Sequence, residues 1–143
     1  MTQKPKMLFL DDRTKRIHSA IRKYGKEYDL TIVTNVREFL RYVDREKYDI
    51  ISMDHDLCGL DYMSINDPQS GMEAIRYILD THSSTIIGGY IKHDCLVIIH
   101  SSNNMASDAM VSALQSAGLN VRRQRFEYDG PENSNFLSNG VSE

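Results

Sequence analysis

The chain has 143 residues, 41% apolar and 26% charged, with a net charge of -3. That length supports one core without disulfide or metal staples, and the slight acid excess gives no overall pull toward nucleic acid or anionic lipid. No run approaches the ~20 apolar residues that span a bilayer and the N-terminal run is too short for a secretion signal, so the cytoplasm, with Cys58 and Cys95 as buried, reduced thiols, is the expected setting.

In chain order, MLFL (7–10) reads as a first strand that runs directly into Asp11, Asp12 and Arg13. Ile17, Ala20, Ile21 and Tyr24 follow at helical spacing, and Gly25 closes that helix. LTIV (30–33) is the second strand. Thr34 or Asn35 caps a helix whose apolar face is Val36, Phe39, Leu40 and Val43. DIISM (49–53) is the third strand, delivering Asp54, His55 and Asp56. A long loop, 57–70, precedes a helix striped by Met72, Ile75, Ile78 and Leu79, and a second long connection covers 81–94. CLVII (95–99) is the fourth strand and ends in His100, Ser101, Ser102 and Asn103. Ser107, Met110, Val111 and Leu114 stripe a fourth helix, Gly118 ends it, and LNVRRQRF (119–126) is the fifth strand. Residues 127–143 form a polar tail of disordered composition, with no closing helix.

The first four strands are nearly continuous apolar runs, the pattern of parallel strands covered on both faces. Alternation of strands and helices over 1–126 predicts a single α/β domain, a doubly wound parallel five-stranded sheet of flavodoxin-like order 2-1-3-4-5. Ligands of such sheets bind at the carboxyl ends of the strands, beside the reversal in strand order. Three strand ends meet there, bringing Asp11, Asp12, Asp54 and Asp56 together with two imidazoles, hydroxyls and an amide. Ionised carboxylates raise one another's pKa unless compensated. A hard divalent cation, Mg²⁺ or Mn²⁺, is the simplest compensation and completes its shell readily with phosphate. His55 and His100, from neighbouring strand ends, suit proton transfer near neutral pH. His18 and His82 are expected on the surface, and His93 at the opposite end of the sheet. HExxH and CxxC spacings are absent, as is any DNA-binding motif.

LFLDDR, DIISMDHDL and LVIIHSS together resemble the receiver domains of two-component response regulators. The resemblance puts Asp54 at the phosphoacceptor position, Asp56 where a backbone carbonyl reaches Mg²⁺, and Ser101 at the phosphoryl-contacting hydroxyl. The chain departs from that pattern after its fifth strand, where VRRQRF replaces the usual lysine. FLDD-R, DHDL followed by a long loop, and HSSN resemble more closely the cyclic-phosphate processing receiver-like domains. That resemblance implies a metal-dependent phosphoesterase acting on a cyclic phosphate of a nucleotide or RNA, in RNA repair or phage–host conflict. By it, Asp54, His55, His100 and Ser101 are catalytic candidates. Arg13, Ser102 and Asn103 are candidates for binding substrate, and Asp11, Asp12, Asp54 and Asp56 for holding metal. The alternative is a non-catalytic module that binds a nucleotide, phosphate or protein partner in the same pocket. An ordinary phosphorelay receiver is disfavoured by the missing lysine and final helix.

Overall fold

The computed structural model describes residues 3–60, 62–84 and 94–124, with residues 81–84 as helix backbone. Five strands, β1 (Lys6–Leu10), β2 (Asp29–Val33), β3 (Ile50–Met53), β4 (Leu96–Ile99) and β5 (Asn120–Arg123), form one parallel sheet ordered β2-β1-β3-β4-β5. Helices α1 (Thr14–Tyr24), α2 (Val36–Arg45), α3 (Gly71–Ser84) and α4 (Asn104–Ser116) connect them. The expected end of the fifth strand at 126, the tail and its missing helix, and most of the 81–94 connection lie outside the described residues.

In β1, β3 and β4 the apolar runs are buried on both sides, as continuous patterns require. Leu8, Leu10, Ile51, Met53, Val97 and Ile99 pack with Phe39, Val43, Ile75, Ile78, Met110 and Leu114. The opposite face holds a smaller cluster, Met7, Phe9 and Ala20, with Tyr24, Tyr28, Leu30, Ile32 and Ile50 against it. Both edge strands are only half-buried: β2, and β5 with its arginines.

Helix termini follow local chemistry. Asn35 Oδ1 accepts from Glu38 N at 2.9 Å, and Glu38 Oε1 accepts from Thr34 N at 3.0 Å, a near-reciprocal capping arrangement. At the end of α4, Gly118 takes φ +83°, Leu119 N donates to Leu114 O and Gly118 N to Gln115 O. Such a left-handed stop turns the chain directly into β5, with Leu114 and Leu119 both buried.

Two expectations need correction. The apolar stripe of α1 is rotated: Ile21 is 49% exposed, whereas Arg16 and Ser19 are buried beside Ala20. Cys58 is exposed, its Sγ donating to Gln69 Oε1, because it sits in the loop after β3 rather than against the sheet. Cys95 is buried as expected. No helix among the described residues is long and apolar enough to cross a membrane.

Candidate functional site

The ends of β1, β3 and β4 meet, and the side chains they deliver divide into two clusters. In the first, Asp11 and Asp54 are both buried and share one guanidinium. Arg16 Nε donates to Asp11 Oδ2 at 2.6 Å, and its Nη2 donates to Asp11 Oδ1 at 3.1 Å and to Asp54 Oδ2 at 2.7 Å. His100 Nε2 lies 3.0 Å from Asp11 Oδ2, its Nδ1 lies 2.7 Å from Ser52 Oγ, and its ring stacks on Phe9 at 4.7 Å. With Asp11 ionised, Nε2 carries a proton toward it, and Nδ1 accepts from the Ser52 hydroxyl when the ring is neutral or donates to it when the ring is charged. Nε2 thus braces Asp11 while Ser52 orients the ring.

These contacts separate the two carboxyls electrostatically. Burial raises Asp11, but the hydrogen bond and charge of His100, then those of Arg16, overcome it and hold the group at about 2. Asp54 is pushed above its ordinary value, first by burial and then by the Asp11 charge, against the pull of Arg16 and His100. Asp12 reaches the loop instead: its Oδ2 accepts from Gly59 N at 2.6 Å, while Oδ1 is buried without a hydrogen-bond partner among the described residues. Asp11, Asp12 and Asp54 each offer an oxygen within 4.8 Å of the others. Three carboxylates, one with an orphaned oxygen, fit a hard cation, although Arg16 already occupies two of them.

The second cluster surrounds Asp56. Its Oδ1 accepts from His55 Nδ1 at 2.9 Å, Asn103 Nδ2 at 3.0 Å and Met63 N at 3.1 Å, and Oδ2 accepts from Tyr62 N at 2.7 Å. Burial raises this carboxyl, but the Asn103 and His55 bonds and the two loop amides bring it below the ordinary value. Ionised Asp56 holds the Nδ1–H tautomer of His55. Its Nε2 is left as a buried lone pair without a partner among the described residues. The clusters touch where His55 N donates to Asp54 Oδ1 at 2.8 Å.

Ser101 and Asn103 build the start of α4. Asn103 Oδ1 accepts from Ala106 N at 3.1 Å, Asn103 N donates to Ser101 Oγ at 3.1 Å, and Ser101 O accepts from Ser107 Oγ at 3.2 Å. Ser102 is exposed at the same corner. Arg13 is partly buried, and its N–H donates to Asp11 Oδ1 at 2.9 Å.

The structure thus brings Asp11, Asp12 and Asp54 into one cluster, and His55, Asp56 and Asn103 into the other. Asp56 stands apart from the acidic trio because its carboxylate is committed to protein donors. His100 does not pair with His55; it braces Asp11. His18 is exposed, His82 falls where the helix is described as backbone only, and His93 lies outside the described residues.

Three residues with roles here carried no motif in the sequence. Arg16 sits in a charged run that reads as a solvated face, and only the small Ser19 and Ala20 beside it hint at close approach to the sheet. Ser52 reads as a polar interruption of β3 yet holds His100. Gly71 N donates to His55 O at 2.9 Å, and a Cβ at Gly71 would run into the Asp54 carbonyl and His55 Cα.

Residues 6–116 match the family model described as the cyclic-phosphate processing receiver domain. Solved structures of similar fold include the receiver domain of a sensor histidine kinase from Pseudomonas aeruginosa, whose structure has magnesium coordinated in the active-site cleft (TM-score 0.56, 20% identity, 99% of this chain and 100% of that one). Another is the chemotaxis response regulator CheY4 of Vibrio cholerae (TM-score 0.55, 13% identity, 97% and 99%). A third is a CheY-like receiver domain protein from Methanospirillum hungatei (TM-score 0.57, 13% identity, 97% and 94%). At these identities the likeness establishes the fold. No curated protein matches the chain.

Proposed function

The chain belongs to the family of cyclic-phosphate processing receiver domains, and from that premise we propose that it is a metal-dependent phosphoesterase that opens a cyclic phosphate on a nucleotide or RNA end. The observation that carries this reading is His55: a buried imidazole, oriented through Nδ1 by ionised Asp56, with an unpartnered Nε2. A histidine held this way is prepared to accept a proton. Phosphorelay needs no such residue.

In the proposed reaction, His55 Nε2 takes a proton from water as the water oxygen bonds to phosphorus. The bond from phosphorus to one ribose oxygen breaks, that oxygen takes up a proton from solvent, and His55 returns its own to solvent, giving a monoester. One water is consumed. Asp56 keeps the imidazole in its tautomer, and Asn103 and the loop amides keep Asp56 ionised. Ser101, Ser102 and Arg13, at or just beyond the strand ends, would receive phosphate oxygens. A divalent cation on Asp11, Asp12 and Asp54, with the Asp56 carbonyl, would neutralise charge developing on the phosphoryl oxygens. Because His55 is fully buried, substrate access requires the segments that cover it to open.

That same covering favours a second reading. Arg16 and His100 already compensate the acids, so a module that binds phosphate without turnover is the alternative. Purified protein with Mg²⁺ would be incubated with RNA ending in a 2′,3′-cyclic phosphate and with a panel of cyclic nucleotides. Conversion to monoester that disappears in His55→Ala and in Asp54→Asn is the expected result. Binding without product, at any loop-opening temperature below unfolding, would overturn catalysis and leave the binding module.

A further inference from the structure

The cation that the fold itself places among the acids is Arg16. Its guanidinium bridges Asp11 and Asp54 with three hydrogen bonds, and the side chain is only 11% exposed. Helix α1 turns Arg16 inward while Ile21 faces solvent, an exchange of apolar for charged burial that makes sense only if the guanidinium has work at the sheet. Two of the three acids able to hold a divalent ion are thereby satisfied from within. Asp12, with its orphaned Oδ1, is the one left unsatisfied. Arg123 from β5 is held elsewhere, donating to Asn104 Oδ1 at 2.7 Å and Ser101 O at 3.3 Å at the start of α4.

We infer that Arg16 is the resident counter-cation of the site and that a divalent ion binds by exchange with it. Asp11 and Asp54 give up the guanidinium and take the ion, and the released guanidinium turns to a phosphoryl oxygen. The first half rests on geometry alone. The second half rests on the phosphate-binding reading above, and a planar fork of donors matches a phosphate better than a point charge does. Arg16 then couples the two ligands: alone, the ion must break two buried ion pairs, whereas phosphate gives the guanidinium a new partner.

Calorimetric titration of the full chain with Mg²⁺, with and without inorganic phosphate, tests this. Wild type should bind Mg²⁺ weakly alone and several-fold tighter with phosphate. Arg16→Gln should bind Mg²⁺ alone about tenfold tighter than wild type, the competing buried cation being gone, and phosphate should no longer tighten it. Mg²⁺ affinity in Arg16→Gln equal to or weaker than wild type overturns the exchange. Should Arg16→Gln need metal to fold, Arg16→Lys decides instead. Its ammonium pairs with one carboxylate at a time, so Mg²⁺ should bind a few-fold tighter than in wild type; wild-type or weaker affinity overturns the inference. Turnover is not read in these titrations. Absence of hydrolysis sinks the phosphoesterase while leaving the exchange standing, and unchanged Mg²⁺ affinity does the reverse.

Discussion

Asp11 and Asp54 share a guanidinium but respond oppositely to pH. Asp11, despite burial, is held at about 2 by His100 and Arg16, below the 3.8 of an unfolded chain. Its contribution to stability is therefore complete above the unfolded value and is lost as pH falls from about 4 toward 2, on the order of 2 kcal/mol. Thermal melts across that range should show the loss, and Asp11→Asn should flatten it. Asp54 is raised by burial and by Asp11, so its ionised form weakens the fold above pH 3.8 and the weakening is relieved on acidification. Asp54→Asn is accordingly expected to raise Tm at pH 7 in the presence of chelator. Mg²⁺ is expected to raise Tm in wild type, and the same substitution should shrink that rise. A lower Tm in chelator would mean that the Arg16 bond outweighs burial and the Asp11 charge.

At the scale of elements, the two caps next to the sheet differ in what they control. Asn35 caps α2 just beyond the carboxyl end of β2, but its side chain bonds Glu38 N rather than any strand-end acid, so Asn35→Ala should cost about 1 kcal/mol in denaturant melts and leave Mg²⁺ binding unchanged. Gly71 starts α3 against the Asp54 carbonyl and His55 Cα. Gly71→Ala should cost about 1–3 kcal/mol and also weaken Mg²⁺ binding, since the strain falls on the backbone that carries both residues. The strand order and the strand-end acids were legible in the sequence because continuous apolar runs end abruptly in Asp11, Asp54 and His100, and that signal is local. Arg16 was not legible. Its burial depends on Asp54, which reaches it only after β3 is laid beside β1, and the periodicity of α1 points to Ile17 and Ile21 instead. The bracing of His100 by Ser52 was hidden for the same reason: the pair exists only through the register of β3 with β4.

Among the described residues, the two faces of the sheet are unequal. The face carrying α2, α3 and α4 holds most of the buried apolar side chains, while α1 rests on a small cluster of Met7, Phe9 and Ala20 reinforced by the Arg16 ion pairs. Amides of α1 should therefore exchange with deuterium faster than those of α4, and saturating Mg²⁺ with phosphate should change protection in α1 more than in α2. Equal protection in α1 and α4 would show that the small cluster suffices without the ion pairs.

Gly71 N bonded to His55 O closes the 57–70 loop at its root. The span that segment must bridge is thus set by β3 and α3 rather than by its own residues. The first part of the loop is tied to the acids, through Gly59 N on Asp12 and the Tyr62 and Met63 amides on Asp56, whereas the stretch beyond Met63 behaves as an exchangeable cassette that can lengthen, shorten or change composition before Gly71. On the proposed function, substrate choice can diversify in that outer stretch while the rest of the domain stands still.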